Sequence, residues 1–104
     1  MKDSKVNSKR WFTLSKLTLR IFTHPACAGC GPAVEMGWIL SESHNNLTLE
    51  TVKLENKEGL AKAHGVGIKT IPTMIFYENE KELKRIVGLP EANQLEKDFL
   101  ELNQ

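Results

Sequence analysis

The chain has 104 residues, 40% hydrophobic and 26% charged, a net charge of +1 at pH 7 and two cysteines. This describes one globular domain without a membrane span, because the longest apolar runs, such as Met74-Ile75-Phe76-Tyr77, fall far below the roughly 18 residues a span needs, and two cysteines cannot build a disulfide scaffold. Residues 1–20 carry a local +5 and residues 21–104 a net −4, so the folded part offers no basic face for nucleic acid.

The first ten residues are polar, charged and aperiodic, and residues 1–16 are read as a basic, flexible arm ahead of a domain over 17–104. Trp11-Phe12-Thr13-Leu14 is followed at once by Ser15 and Lys16. A secretory signal would continue with 7–15 apolar residues, so a cytoplasmic location is expected. Trp11 and Phe12 either pack the arm onto the domain or form an exposed contact patch. Leu17, Leu19 and Ile21 then alternate with Thr18, Arg20 and Phe22, the period of a strand, which should stop at Pro25.

Residues 30–44 place Ala33, Val34, Gly37, Trp38 and Leu40 on one side of a helix, with Pro32 tolerated in its first turn. Trp38 is assigned to the core. Residues Leu47 to Leu54 alternate again as a second strand, and Glu58 to His64 form a short helix that Gly65 can cap. His44 reads as a loop residue, and His64 as a helix C-terminal residue suited to the dipole. A buried-type strand over Pro72–Tyr77, a polar turn over Glu78–Lys81 and a partner strand over Glu82–Val87 make a hairpin. Leu95, Phe99 and Leu100 give a final amphipathic helix. The order β-α-β-α-β-β-α predicts an α/β fold, a mixed four-stranded sheet with helices on both faces.

Cys27-Ala28-Gly29-Cys30 is the most informative segment. Chance would space two cysteines this way in roughly 2% of placements. The pair lies between a strand end and a helix start, where free backbone N–H groups and the helix dipole favour a thiolate. Cys27, first in the turn, is the expected nucleophile and Cys30, in the first helical turn, the resolving thiol. Ala28 and Gly29 between them are small enough for a protein partner's backbone to approach. A structural disulfide would close too short a loop to stabilise much. A zinc site would need about four ligands, drawn from His24, Cys27 and Cys30 with His44 or His64; an iron–sulfur cluster would need two chains.

Thr23-His24-Pro25-Ala26-Cys27-Ala28-Gly29-Cys30, the run Gly67-Ile68-Lys69-Thr70-Ile71-Pro72-Thr73 and the pair Val87-Gly88 together resemble the thioredoxin superfamily, and the resemblance covers Leu17 to Leu102. It implies a thioredoxin-like fold and a dithiol–disulfide oxidoreductase whose redox-active Cys27–Cys30 disulfide needs no cofactor and no metal. It also implies a cis bond before Pro72, exposing the Ile71 backbone so that Thr70, Ile71 and Pro72 bind substrate; from composition alone, Pro72 reads as a trans residue opening an edge strand. Ala26 stands where thioredoxins carry tryptophan, and Ile21 where they carry a buried aspartate. The short N-terminal layout, together with the Thr-x-Pro-x-Cys run from Thr23 to Cys27, is closer to glutaredoxins and small glutaredoxin-like thioredoxins. Gly29 replaces the tyrosine usual in glutathione-using glutaredoxins. The implied partners are therefore protein disulfides and a thioredoxin-reductase-like flavoenzyme or other thiol reductant, serving a monomer. His24, Ala28 and Gly29 are expected to modulate the site, His24 either by positive charge near Cys27 or as a solvated turn residue. Lys53 and Glu55 would influence proton transfer if they reach the cysteines.

Overall fold

A computed structural model describes residues 16–103; the basic arm, with Trp11 and Phe12, lies outside the described residues. Strands form where expected: β1 (Leu17–Thr23), β2 (Leu47–Lys53), β3 (Thr73–Glu78) and β4 (Lys81–Val87), with helices α1 (Cys30–Ser43), α2 (Lys57–Gly65) and α3 (Ala92–Leu102) between and after them. The boundaries match the sequence reading to within about a residue or two, the usual uncertainty of element ends.

The sheet order is β2-β1-β3-β4. The β1–β2 pair is parallel, in register from Leu17↔Leu47 to Thr23↔Lys53, while β3 runs antiparallel to both β1 and β4. Asn79 and Glu80, both at positive φ (51° and 68°), make the two-residue turn whose twist suits a hairpin.

Helices cover both faces. Leu17, Leu19, Ile21, Met74 and Phe76 meet Ala33 and Leu40 of α1 and Leu95 and Phe99 of α3 in one core. Phe22, Val52, Ile75 and Tyr77 meet Ala63 of α2 in the other. Beside α2, charge replaces apolar cover. Arg20 lies 4.4 Å over the Tyr77 ring, donates from Nε to Glu50 at 2.8 Å and from Nη2 to Glu80 at 2.7 Å, and Lys62 donates to Glu50 at 3.2 Å. Burial pushes the Glu50 carboxyl up, but the bonds from Arg20 and Lys62 outweigh it and hold it below its ordinary range. The Arg20 hydrogen bond likewise holds Glu80 low.

Four expectations need correction. Trp38 is 56% exposed rather than core. The inward stripe of α1 is Cys30, Ala33, Gly37 and Leu40, and a Cβ on Gly37 would sit 2.6 Å from Ile21 Cδ1, so the helix lies too close to the sheet for a large side chain there. Leu100 is exposed, and Asp98 takes the inward position, neutralised by Lys84 at 3.1 Å and held by Gln94 at 2.8 Å. Gly67, not Gly65, adopts the left-handed conformation after α2 (φ 72°), because α2 continues through Gly65 and Ile68 N–H returns to the Ala63 carbonyl at 2.9 Å. His44 is more than a loop residue: its ring packs on Phe99 at a centroid distance of 4.6 Å.

Candidate functional site

The site begins where β1 ends. Pro25 cannot extend the strand, and the chain turns: the Cys27 N–H donates to the His24 carbonyl at 3.0 Å, and the Ala26 N–H donates to His24 Nδ1 at 3.1 Å. α1 then opens at Cys30, whose N–H donates to the Cys27 carbonyl at 3.2 Å. Gly29 is the N-cap, with no side-chain cap and no acid in the first turn, so the positive end of the helix faces the cysteines uncompensated.

Cys27 and Cys30 are joined by a disulfide, with Cα atoms 5.4 Å apart. Their exposures differ as their positions require. Cys27 is half-buried, and Cys30, turned under the helix, retains only 4% of its surface.

Two unlike flanks meet at this disulfide. On one, the Ile71–Pro72 bond is cis, Pro72 is buried and Ile71 half-buried. A Cβ on Gly29 would stand 3.5 Å from Pro72 Cδ and 4.0 Å from Leu89 Cβ, so Gly29, Pro72 and Leu89 form one small apolar platform. The Gly88 N–H donates to the Pro72 carbonyl at 2.8 Å, and Thr73 Oγ1 donates to the Thr70 carbonyl; Thr70 itself is exposed. The first bond ties the Pro72 loop to the end of β4, and the second closes the loop on itself.

On the other flank lies an open hollow of about 590 Å³, which Cys27 and Cys30 line together with Thr23, His24, Ala28, Thr51, Lys53 and Glu55 among others. Lys53 and Glu55 do reach the neighbourhood of the cysteines. Strand register brings them there, since Lys53 pairs with Thr23 across the parallel ladder. Thr51 and Leu89 carry no sequence signal of their own; Leu89 stands only beside the Val87-Gly88 pair. His44 and His64 stay away from the hollow. Among the described residues, no group of three or more His, Cys, Asp or Glu side chains is placed to hold a metal ion, and no helix is long and apolar enough to cross a membrane.

The arrangement can perform thiol–disulfide exchange: one half-buried cysteine, one buried cysteine bonded to it, and a helix N-terminus favouring thiolate. The comparisons agree with that chemistry. No curated protein matches the sequence. Among solved structures the chain is similar to thioredoxin O2 of Arabidopsis thaliana in its oxidised state (19% identity, TM-score 0.75, 86% of this chain and 77% of that one). It is also similar to a mutant thioredoxin of Halobacterium salinarum (17%, 0.77, 86% and 77%) and to thioredoxin-2, a component of the malaria parasite's protein secretion machinery (22%, 0.74, 83% and 82%). At these identities the likeness is one of fold. The sequence model described as Thioredoxin matches residues 8–101, and by that match the chain belongs to the thioredoxin family.

Proposed function

We propose that this protein reduces disulfides in protein substrates by dithiol–disulfide exchange. The Cys27 thiolate attacks one sulfur of the substrate disulfide; a mixed disulfide forms and the first substrate sulfur leaves as a thiolate, which takes a proton from solvent. The Cys30 thiolate then attacks Cys27 Sγ, forming the Cys27–Cys30 disulfide and releasing the second substrate thiolate. Two electrons pass to the substrate. The observation that supports this reading is the difference in exposure between the two cysteines at the N-terminus of α1, Cys27 half-buried and Cys30 buried, which favours attack by Cys27 and resolution by Cys30.

In this reading an extended substrate segment lies along Thr70, Ile71 and Pro72, with the Ile71 backbone pairing with it as an added strand would and the apolar platform of Pro72 and Leu89 beneath. Ala28 and Gly29 leave room for that approach. The protein acts as a monomer in the cytoplasm, without a cofactor. A thioredoxin-reductase-like flavoenzyme or another thiol reductant returns it to the dithiol form, and Gly29 favours such a reductant over glutathione.

Insulin-disulfide reduction tests the activity. Cys27→Ser should abolish it, and Cys30→Ser should accumulate a mixed disulfide visible in non-reducing electrophoresis. Absence of exchange from the fully reduced protein overturns the proposal. Zinc or iron retained through purification, with thiols that do not react, would replace it by the metal-binding alternative.

A further inference from the structure

His24 holds the turn ahead of Cys27. Its carbonyl accepts the Cys27 N–H at 3.0 Å and its ring Nδ1 accepts the Ala26 N–H at 3.1 Å. Pro25, the remaining residue of the turn, has no N–H to satisfy. Both backbone donors that follow His24, up to and including the nucleophile's own, therefore end on this one residue.

Only one form of the side chain can make the ring contact. An imidazole nitrogen that accepts a hydrogen bond carries no proton; in the neutral ring the proton then sits on Nε2, whereas an imidazolium donates from both nitrogens and cannot accept at all. A cationic His24 would lose the Ala26 bond. Positive character near Cys27 is already present without it, from the uncompensated N-terminus of α1 and from Lys53, which lines the same hollow as His24 and Glu55.

We propose that His24 is a positioning residue: as a neutral hydrogen-bond acceptor it holds the Pro25–Ala26–Cys27 turn in the conformation that presents Cys27, and it does not act by charge. Its ring does what an Asn side chain does in an Asx-turn, accepting the N–H two residues on. The role rests on Cys27 being the nucleophile, but not on any particular disulfide substrate.

The test is alkylation of reduced protein by iodoacetamide from pH 6 to 9, in a Cys30→Ser background so that Cys27 alone is read, which keeps the result independent of disulfide turnover. His24→Ala should slow Cys27 alkylation by about three- to tenfold, the range expected for one net hydrogen bond. His24→Asn, which keeps an acceptor and cannot become a cation, should restore most of that rate with the parent's pH midpoint. Long-range ¹⁵N–¹H spectra of the parent should place the ring proton on Nε2. Circular dichroism of each variant checks that the turn, which stands in water, has not cost the fold. The proposal is overturned if His24→Asn is as slow as His24→Ala with the Cys27 midpoint raised in both, if His24→Ala alkylates at the parent rate, or if the proton is found on Nδ1.

Discussion

On one side of the sheet Leu19, Ile21, Met74 and Phe76 meet Ala33, Leu40, Leu95 and Phe99, apolar against apolar. On the other, α2 covers Phe22, Val52 and Ile75, and the remaining surface is closed by Arg20 stretched across Tyr77 between Glu50 and Glu80. The two closures answer to different variables. Apolar burial depends little on pH or salt, whereas the charged cover weakens when its carboxylates are protonated or its ions screened.

The largest effect should come from breaking the apolar face. Phe99 is fully buried, and Phe99→Ala should cost about 3–5 kcal/mol, read as a lower urea midpoint that salt does not alter; a loss below about 1 kcal/mol would mean the face is held by something else. Next is the close approach of α2 to the other face. A Cβ on Gly59 would overlap the Lys53 carbonyl oxygen, so Gly59→Ala should destabilise by about 2 kcal/mol despite the better helix propensity of alanine, and its amide spectrum should shift at Lys53 and Glu55.

The charged cover is the third target. Arg20→Met should cost about 1–2 kcal/mol at pH 7, limited because Lys62 still pairs with Glu50 and because Glu80 faces water. Since the Glu50 and Glu80 carboxyls are held low in the folded state, their contribution is complete above the ordinary glutamate value of about 4.3 and is lost as pH falls through the lowered values. The difference between parent and Arg20→Met should therefore shrink as pH falls below that ordinary value and on through the lowered ones, in paired urea melts; a difference that does not shrink with falling pH would assign the stabilisation to Arg20–Tyr77 stacking. Smaller still, Gly65→Ala in the same helix as Gly59 meets nothing within 4 Å and should stabilise by about 0.4–1 kcal/mol. Trp38→Ser, on the solvent side of α1, should stay within about 0.5 kcal/mol.

Local pattern makes most of this molecule readable beforehand. Period-two alternation locates β1 and β2, a continuous apolar run and the polar turn after it locate β3 and β4, and the cysteine spacing with the Ile71-Pro72-Thr73 run marks the reacting centre, because those signals are carried by neighbours in sequence. What stays hidden depends on distances between elements. Trp38 reads as inward from its helical spacing with Val34, yet the stripe that faces the sheet is Cys30, Ala33, Gly37 and Leu40, and the helix lies so near Ile21 that no large side chain fits at position 37. Lys53 and Glu55 gain a place at the site only through the register of β2 against β1. Leu89 joins it through a contact over Gly29 that no periodicity encodes. The buried carboxylate of Asp98 is tenable only because the β4 lysine, Lys84, lies beside it.

β1 occupies the middle of the sheet, between β2 and β3, and both partners are synthesised after it. While the chain is still emerging from the ribosome, β1 can pair only with β2, in a parallel ladder that is slightly weaker per residue than an antiparallel one, until β3 has followed through Glu78. During that interval, lasting seconds at ordinary translation speeds, Cys27 and Cys30 are present, but Pro72 and Leu89 are not yet packed over Gly29. Until then the turn that carries both thiols stands without the apolar cover that Pro72 and Leu89 later give to Gly29.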